Sequence, residues 1–467
     1  YGGPNIAKAM HVGHLRAAII GDSVRRIMAY GGYKTLGDVH MGDWGTHMGM
    51  LIDDYIRRNE THLVTQTKID DPAAVQALME DMAARYPRAA AAAKADETLM
   101  AQAQAATVKL QDKIEPYYGL WQTIRAVSVV GMKRNYDTLG VSFDLWKGEA
   151  DVHDLISPMV EDLKKRAIAV ESDGAIVVPV AQDDDKKEMP PMILYKRDGA
   201  VMYGTTDTAT ILERMKLYDP AKIIYIVDQR QSLHFEQVFR AVRKAGIVKP
   251  NVELTHAGFG TMNGTDGKPF KTREGGVMRL EDLIVMALEK ARARMAEAHM
   301  AEDFSAAEQE DVAHKVAISA IKFADLQNAR QADYVFDLDR LTRFEGKTGP
   351  YVLYQAVRIK SLLRKAEHPV DKTSAAFHIQ DADRPLALLL TELPGAIDAA
   401  LKNYAPHHLC DYAYRLAQTF SSFYGNCHIL SEENTGLRDS RLALCALTYR
   451  HLALTLDLLG IGIPERM

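Results

Sequence analysis

Cysteine is scarce in this chain. Cys410, Cys427 and Cys445 are the only three in 467 residues, and all lie toward the C-terminal end. Their spacing fits no metal-ligand pattern, and three thiols build no disulfide framework. They read as small buried hydrophobes in helices, and a cytoplasmic setting is expected. Long apolar runs are missing too, so no membrane span and no membrane partner are expected, nor a signal peptide. An excess of basic charge is absent: 57 Lys and Arg stand against 62 Asp and Glu, a net charge of −5. Bulk charge therefore does not predict nucleic-acid binding, and any RNA contact must come from local patches. What is present is ordinary for a globular protein, with 47% hydrophobic and 25% charged residues. The length suits two or three domains.

The densest information sits at the start, in YGGPNIAKAMHVGHLRAAIIGDSVRRIMAYGG. Tyr1-Gly2-Gly3-Pro4 is turn chemistry. Leu15, Ile19, Ile20, Val24, Ile27 and Met28 recur at helical spacing, and Gly31-Gly32 is a plausible stop. His11-Val12-Gly13-His14 falls where this helix begins. Its first backbone N–H groups are expected to be unpaired and aimed at an anion, with two imidazoles adding donors. Gly13 lets a ring or a phosphate approach the backbone. The stretch reads as a phosphate-and-nucleotide cradle.

Tyr33–Val39 reads as the next strand, followed by the loop HMGDWGTHMGMLI. Its glycines, Gly42, Gly45 and Gly49, suit either a ligand platform or a plain tight turn. From about 53 to 140 the chain is polar, alanine-rich and helical. Strand candidates then return at Gly174–Val180, Met192–Tyr195 and Lys222–Asp228. The last is a continuous apolar run, as in a parallel strand buried on both faces, and a helix follows it. Strand alternating with helix argues a doubly wound α/β sheet, with its ligand at the carboxyl ends of the strands. From about Leu283 onward everything reads as helix, with a loop at HPVDKTSAAF.

PNIAK followed by HVGHLR and IIGD resembles the HIGH region of arginyl-tRNA synthetases, members of class I. The resemblance extends over nearly the whole chain. It implies an α/β, doubly wound (Rossmann-like) parallel-sheet catalytic domain at 1–327, with its helical insertion at about 53–140. An all-α anticodon-binding bundle at 328–467 would follow. It implies an arginine–tRNA ligase using ATP, with Mg²⁺ accompanying the ATP. L-arginine would become arginyl-adenylate and pass to the 2′-OH of the terminal adenosine of tRNA(Arg). Members commonly need bound tRNA even for the first step. A monomer is expected. The chain opens at Tyr1 and nothing matches the additional N-terminal domain of the family, so a missing upstream segment is expected.

Site residues follow from the same resemblance. His11, Gly13 and His14 would hold ATP, with Lys8 as a further cation. The segment GKPFKTREGG stands in the place of the family's KMSKS loop. It supplies Lys268, Lys271 and Arg273, with Glu274 where a second lysine is usual. Catalysis would rest on His11, His14, Lys8, Lys271 and Arg273, since phosphoryl chemistry of this kind is largely positioning plus cationic donors. A guanidinium substrate calls for carboxylates in a two-pronged arrangement. Glu149 in the FD…GE motif and Asp207 in the Y-x-x-x-D motif fit that demand, though Asp207 at a helix start also suits an N-cap. Tyr203, Asn5 and Gln231 match further arginine-binding positions. Tyr203 would pack on the aliphatic stem or hydrogen-bond the guanidinium, and the role of His234 is open. In the bundle, Tyr351, Tyr354 and Arg358 on one helix face, with the terminal Met467, would contact the anticodon. Ordinary helix packing is the alternative for the tyrosines. His47 replaces the Gln usual in GDWGTQ. Three rival readings are a synthetase for another amino acid, opposed by Glu149 and Asp207; a non-catalytic RNA-binding relative, opposed by the retained histidines and basic loop; and a synthetase scaffold made inactive by N-terminal truncation.

Overall fold

In the computed structural model, which describes residues 1–197, 199–268, 278–371 and 377–467, the opening stretch becomes helix α1, Val12–Tyr30. Leu15, Ile19, Ile20, Val24, Ile27 and Met28 are all buried, and Gly31 is the C-cap. The chain divides into two compact units. One comprises Tyr1–Met10, Asp38–Asn135 and Phe143–Phe259; the other comprises His11–Gly37, Tyr136–Ser142 and Gly260–Met467. No helix among the described residues is long and apolar enough to cross a membrane.

The first unit is built on short parallel backbone lanes. The Gly3 N–H donates to Val39 O at 2.7 Å, Ile6 to Gly42 O at 3.1 Å, Val39 to Leu145 O at 3.1 Å and Met41 to Lys147 O at 2.7 Å. Residues 1–6, 38–42 and 145–148 thus run side by side, with parallel bridges at Asn5–Gly42, Asp38–Leu145 and Met41–Gly148. Of the expected strand Tyr33–Val39, only the end pairs in this way, from Asp38 on; Tyr33 and Leu36 before it are exposed. An antiparallel sheet of β1 (Val170–Ser172), β2 (Ala175–Val178) and β3 (Met192–Tyr195) follows. Next, β4 (Lys222–Tyr225) pairs in parallel with β5 (Glu253–His256). Val178, Leu194, Ile211, Ile223, Phe235 and Val238 form one buried cluster beneath these strands. The stretch expected as an insertion folds mainly as helices Pro72–Ala95, Glu97–Gln111 and Tyr117–Thr138. Asp71 and Asp96 cap the first two by accepting the N–H groups of Ala73 and Thr98 at 2.9 and 2.8 Å.

The second unit is helical around α1. Its longer helices are Leu280–Glu297, Ala306–Leu326, Gly349–Lys365, His407–Asn426 and Thr435–Leu458. The region after Leu283 is not wholly helical: β7 (Tyr334–Val335) pairs in parallel with β6 (Met262–Asn263). That pairing is pinned by Asp333, whose carboxylate accepts the Thr261 N–H at 2.6 Å. Beneath it lies a buried charge pair. Arg16 of α1 is 2% exposed and sets Nε 3.1 Å from Asp325 Oδ2, while its Nη1 donates to Gly260 O at 2.6 Å. The Tyr334 hydroxyl completes Asp325 at 3.0 Å. Burial pushes the Asp325 carboxyl up, even with Arg16 beside it.

Removing one partner of such a pair leaves the other buried and uncompensated. Asp325→Ala is therefore expected to lower stability by ~3–5 kcal/mol. Urea unfolding of the two proteins checks this; an unchanged midpoint would mean that the pair adds nothing to the fold.

Candidate active site

The start of α1 closes on itself. His11 is the N-cap, and its Nδ1 accepts the Gly13 N–H at 3.0 Å. In return His14 Nδ1 accepts the His11 N–H at 3.1 Å. The rings lie 3.9 Å apart between centroids. The Val12 N–H donates to Met278 O at 3.1 Å and the His14 N–H to His11 O at 2.8 Å. The expectation of unpaired amides at this terminus is thus corrected, since the histidines and Met278 satisfy them. What the terminus presents instead is imidazole: with Nδ1 accepting, the proton of each neutral ring sits on Nε2. Gly13 is required for the same reason, because a Cβ there would lie 2.8 Å from the His11 ring.

In the first unit, Glu149 follows the 145–148 lane and Asp207 sits one turn into the helix Tyr203–Tyr218. Met202 is the N-cap of that helix, so Asp207 does not cap it. Burial pushes the Glu149 carboxyl up to about 7, and the negative charges of Asp43 and Asp207 add to the shift. The Trp44 backbone N–H opposes it. Burial likewise raises Asp43 to about 6. Asp207 also meets His234 Nε2 at 2.6 Å. Tyr203 is 72% exposed, and its pKa is raised by partial desolvation and by the charge of Glu149. Asn5 and Gln231 are exposed: Asn5 bridges Gly42, and Gln231 ends a short turn capped by Asp228. The Lys8 ammonium lies 4.4 Å from the Tyr86 ring centroid. His47 is driven down to about 4 by burial and by the charge of Lys8.

Lys268 is exposed in a turn, its N–H donating to Asp266 at 3.0 Å. Lys271, Arg273 and Glu274 lie outside the described residues. In the helical unit, Tyr351 meets Tyr414 edge-on at 5.9 Å, and the Arg358 guanidinium lies 4.0 Å from the Tyr424 centroid. Tyr354 is half-buried on the same helix. The tail bearing Met467 is tied down by Lys360–Glu465 and by Arg466–Glu308, the latter at 2.9 Å. Sequence reasoning missed Tyr86, Tyr414 and Tyr424. The last two lie ten residues apart on one helix beside Ser421, a weak signal without the facing helix.

The family model described as tRNA synthetases class I (R), catalytic domain, matches residues 1–338, and the DALR anticodon binding domain matches 352–467. The fold is thus that of a class I aminoacyl-tRNA synthetase with a helical anticodon-binding domain. Arginine–tRNA ligase of Maricaulis maris is 48% identical over 469 residues, spanning 100% of this chain and 80% of that protein. The corresponding ligase of Hyphomonas neptunium is 46% identical over 471 residues, again covering 100% and 80%. Among solved structures, Plasmodium falciparum arginyl-tRNA synthetase gives a TM-score of 0.82 at 28% identity, covering 100% of this chain and 76% of that one. The Thermus thermophilus arginyl-tRNA synthetase shares the fold, with a TM-score of 0.81 at 24% identity over 99% of this chain and 82% of its own. This chain belongs to the arginyl-tRNA synthetases.

The reciprocal cap predicts one tautomer for both rings. Long-range ¹H–¹⁵N spectra are expected to show neutral His11 and His14 protonated at Nε2. An Nδ1–H pattern at either would contradict the cap.

Proposed function

We infer that in arginine charging by this chain, Glu149 and Asp207 read the guanidinium while His11 and His14 act on ATP. The carrying observation is Glu149 set beside Asp43 and Asp207: burial raises its carboxyl, and the negative charges of those two neighbours raise it further, so the site favours a cation. A planar guanidinium answers that demand with paired, charge-assisted hydrogen bonds. Tyr203, Asn5 and Gln231 complete the arginine side. The arginine carboxylate attacks the α-phosphorus of ATP, the bond to the β-phosphate oxygen breaks, and pyrophosphate leaves. Nε2–H donors of His11 and His14 stabilise the oxygens on which charge accumulates, with Lys8, Lys268, Lys271 and Arg273 as further cations. Mg²⁺ enters as part of the ATP substrate. The 2′-OH of the terminal adenosine of tRNA(Arg) then attacks the arginyl carbonyl, and AMP leaves. Tyr351, Tyr354 and Arg358 stack on anticodon bases, and Met467 lies on the tail tied to the same unit. This reading places the enzyme in the cytoplasm, supported by three buried, unpaired cysteines. It acts as a monomer.

Charging of total tRNA with each amino acid in turn tests the function: arginine alone should be accepted. His14→Ala should lower kcat for adenylate formation by ~10²-fold. An unchanged kcat with a raised ATP KM would remove the histidine from the transition state.

The acidic cluster also fixes a pH dependence. Glu149 and Asp43 are raised to about 7 and about 6, so their uncharged forms prevail below those values and arginine binding must displace protons. The arginine KM is expected to fall as pH rises from about 6 to about 8 and then level off. Glu149→Gln should flatten that curve. A wild-type KM independent of pH over this range would refute the assignment.

Anticodon reading gives a separate outcome. Tyr354→Ala should lower kcat/KM for tRNA by roughly one to two orders of magnitude, since a stacked base contributes ~1–3 kcal/mol. The comparison needs cognate tRNA and a tRNA altered at its second anticodon base. Equal losses for wild type and variant between those two tRNAs would reduce the tyrosine to helix packing.

A further inference from the structure

Asp43 is fully buried, at 0% exposure, and sits against the turn that carries Glu149. Its Oδ1 accepts the Ala150 N–H at 2.9 Å. On the other side of Glu149, a Cβ at Gly148 would lie 2.5–2.6 Å from the Asp43 carboxylate, so glycine is needed for the two to touch. Both neighbours of Glu149 are thus seated on one side chain. The backbone closes the same turn, with the Glu149 N–H donating to Met41 O at 3.1 Å.

Asp43 is in turn gripped from the insertion. Trp121 Nε1 donates to Asp43 O at 2.7 Å. Arg125 brings Nε within 2.9 Å of Asp43 Oδ2, close in distance but not aligned as a hydrogen bond. The far end of Arg125 pairs with Asp151, which accepts the Gly148 N–H at 2.8 Å. The guanidinium lies 5.5 Å from the Trp121 ring centroid. A buried carboxylate beside a second carboxylate is costly, and space alone would be filled better by an apolar residue. What a carboxylate adds here is a grip on backbone N–H groups and on Arg125.

We propose that Asp43, braced by Arg125 from the helix Tyr117–Thr138, is a positioning residue that aims Glu149 at the guanidinium of arginine. The insertion is then part of the machinery for amino-acid recognition, and the GDWG segment is its link to the site. The inference rests on the reading that Glu149 binds the guanidinium.

A double-mutant cycle on the intact chain with tRNA present separates the two. Asp43→Ala should raise the arginine KM about tenfold or more, because small misplacements of a positioned group are costly, and leave the ATP KM within about twofold. Asp43→Asn keeps an oxygen for the Ala150 N–H and should recover part of the loss. Combined with Glu149→Ala, Asp43→Ala should add nothing further, since it acts through Glu149. Independent, multiplicative losses would overturn the proposal, as would equal rises in the arginine and ATP constants. If Glu149→Ala leaves the arginine KM unchanged, the reading of Glu149 fails and the proposal falls with it. Should Asp43→Ala not fold, Arg125→Met enters the same cycle with the same predicted non-additivity, and additivity there overturns the proposal.

Discussion

Carboxylates repel one another, and burial makes each harder to ionise. Around residue 149 the fold still gathers Asp43, Glu149 and Asp207: burial raises Asp43 and Glu149, and the charges of Asp43 and Asp207 raise Glu149 further. The rest of the first unit can be understood as the means of holding that arrangement. Backbone N–H groups of Ala150 and Trp44 serve two of the carboxylates, and His234 serves the third. Trp121 and Arg125 hold Asp43 from a helix roughly eighty residues further along the chain. On the proposed reading, the repulsion left there is relieved by a flat cation with donors on two edges.

The helical unit solves a different problem. Its α1 satisfies its own first amides with His11 and His14, which fixes both rings and their tautomers at once. Rigid imidazoles with defined donors are better suited to a transition state than mobile ones, since no reorganisation is needed as charge develops. Lower down α1, Arg16 spans from Asp325 to Gly260, so a buried ion pair specifies where the helix sits. Lys322, also buried, donates to Gly460 O at 2.6 Å, and desolvation brings it down to about 8. These are costly groups to bury, and each is matched by named acceptors.

Much of this was legible in advance. Helical spacing gave α1 and its end. The apolar run beginning at Lys222 marked a parallel strand. Other features were hidden because they depend on distant contacts. Periodicity says nothing of Arg125 reaching Asp43, or of Tyr424 meeting Arg358 across two helices. The reciprocal cap escaped notice because histidine is not among the usual N-cap residues, so His11 and His14 suggested donors to a ligand and not acceptors for their own backbone. The strand expected at Tyr33–Val39 had favourable residues, but Tyr33 and Leu36 stay exposed and pairing starts only at Asp38. β7 was too short for any alternation to register.

The central claim is that the carboxylate cluster around Glu149 receives the guanidinium. Calorimetric titration of L-arginine into the protein near neutral pH, repeated in two buffers of different ionisation enthalpy, measures it directly. The account predicts a net release of protons on binding, lost in Glu149→Gln. Binding heats independent of the buffer, with arginine bound equally well by that variant, would contradict it.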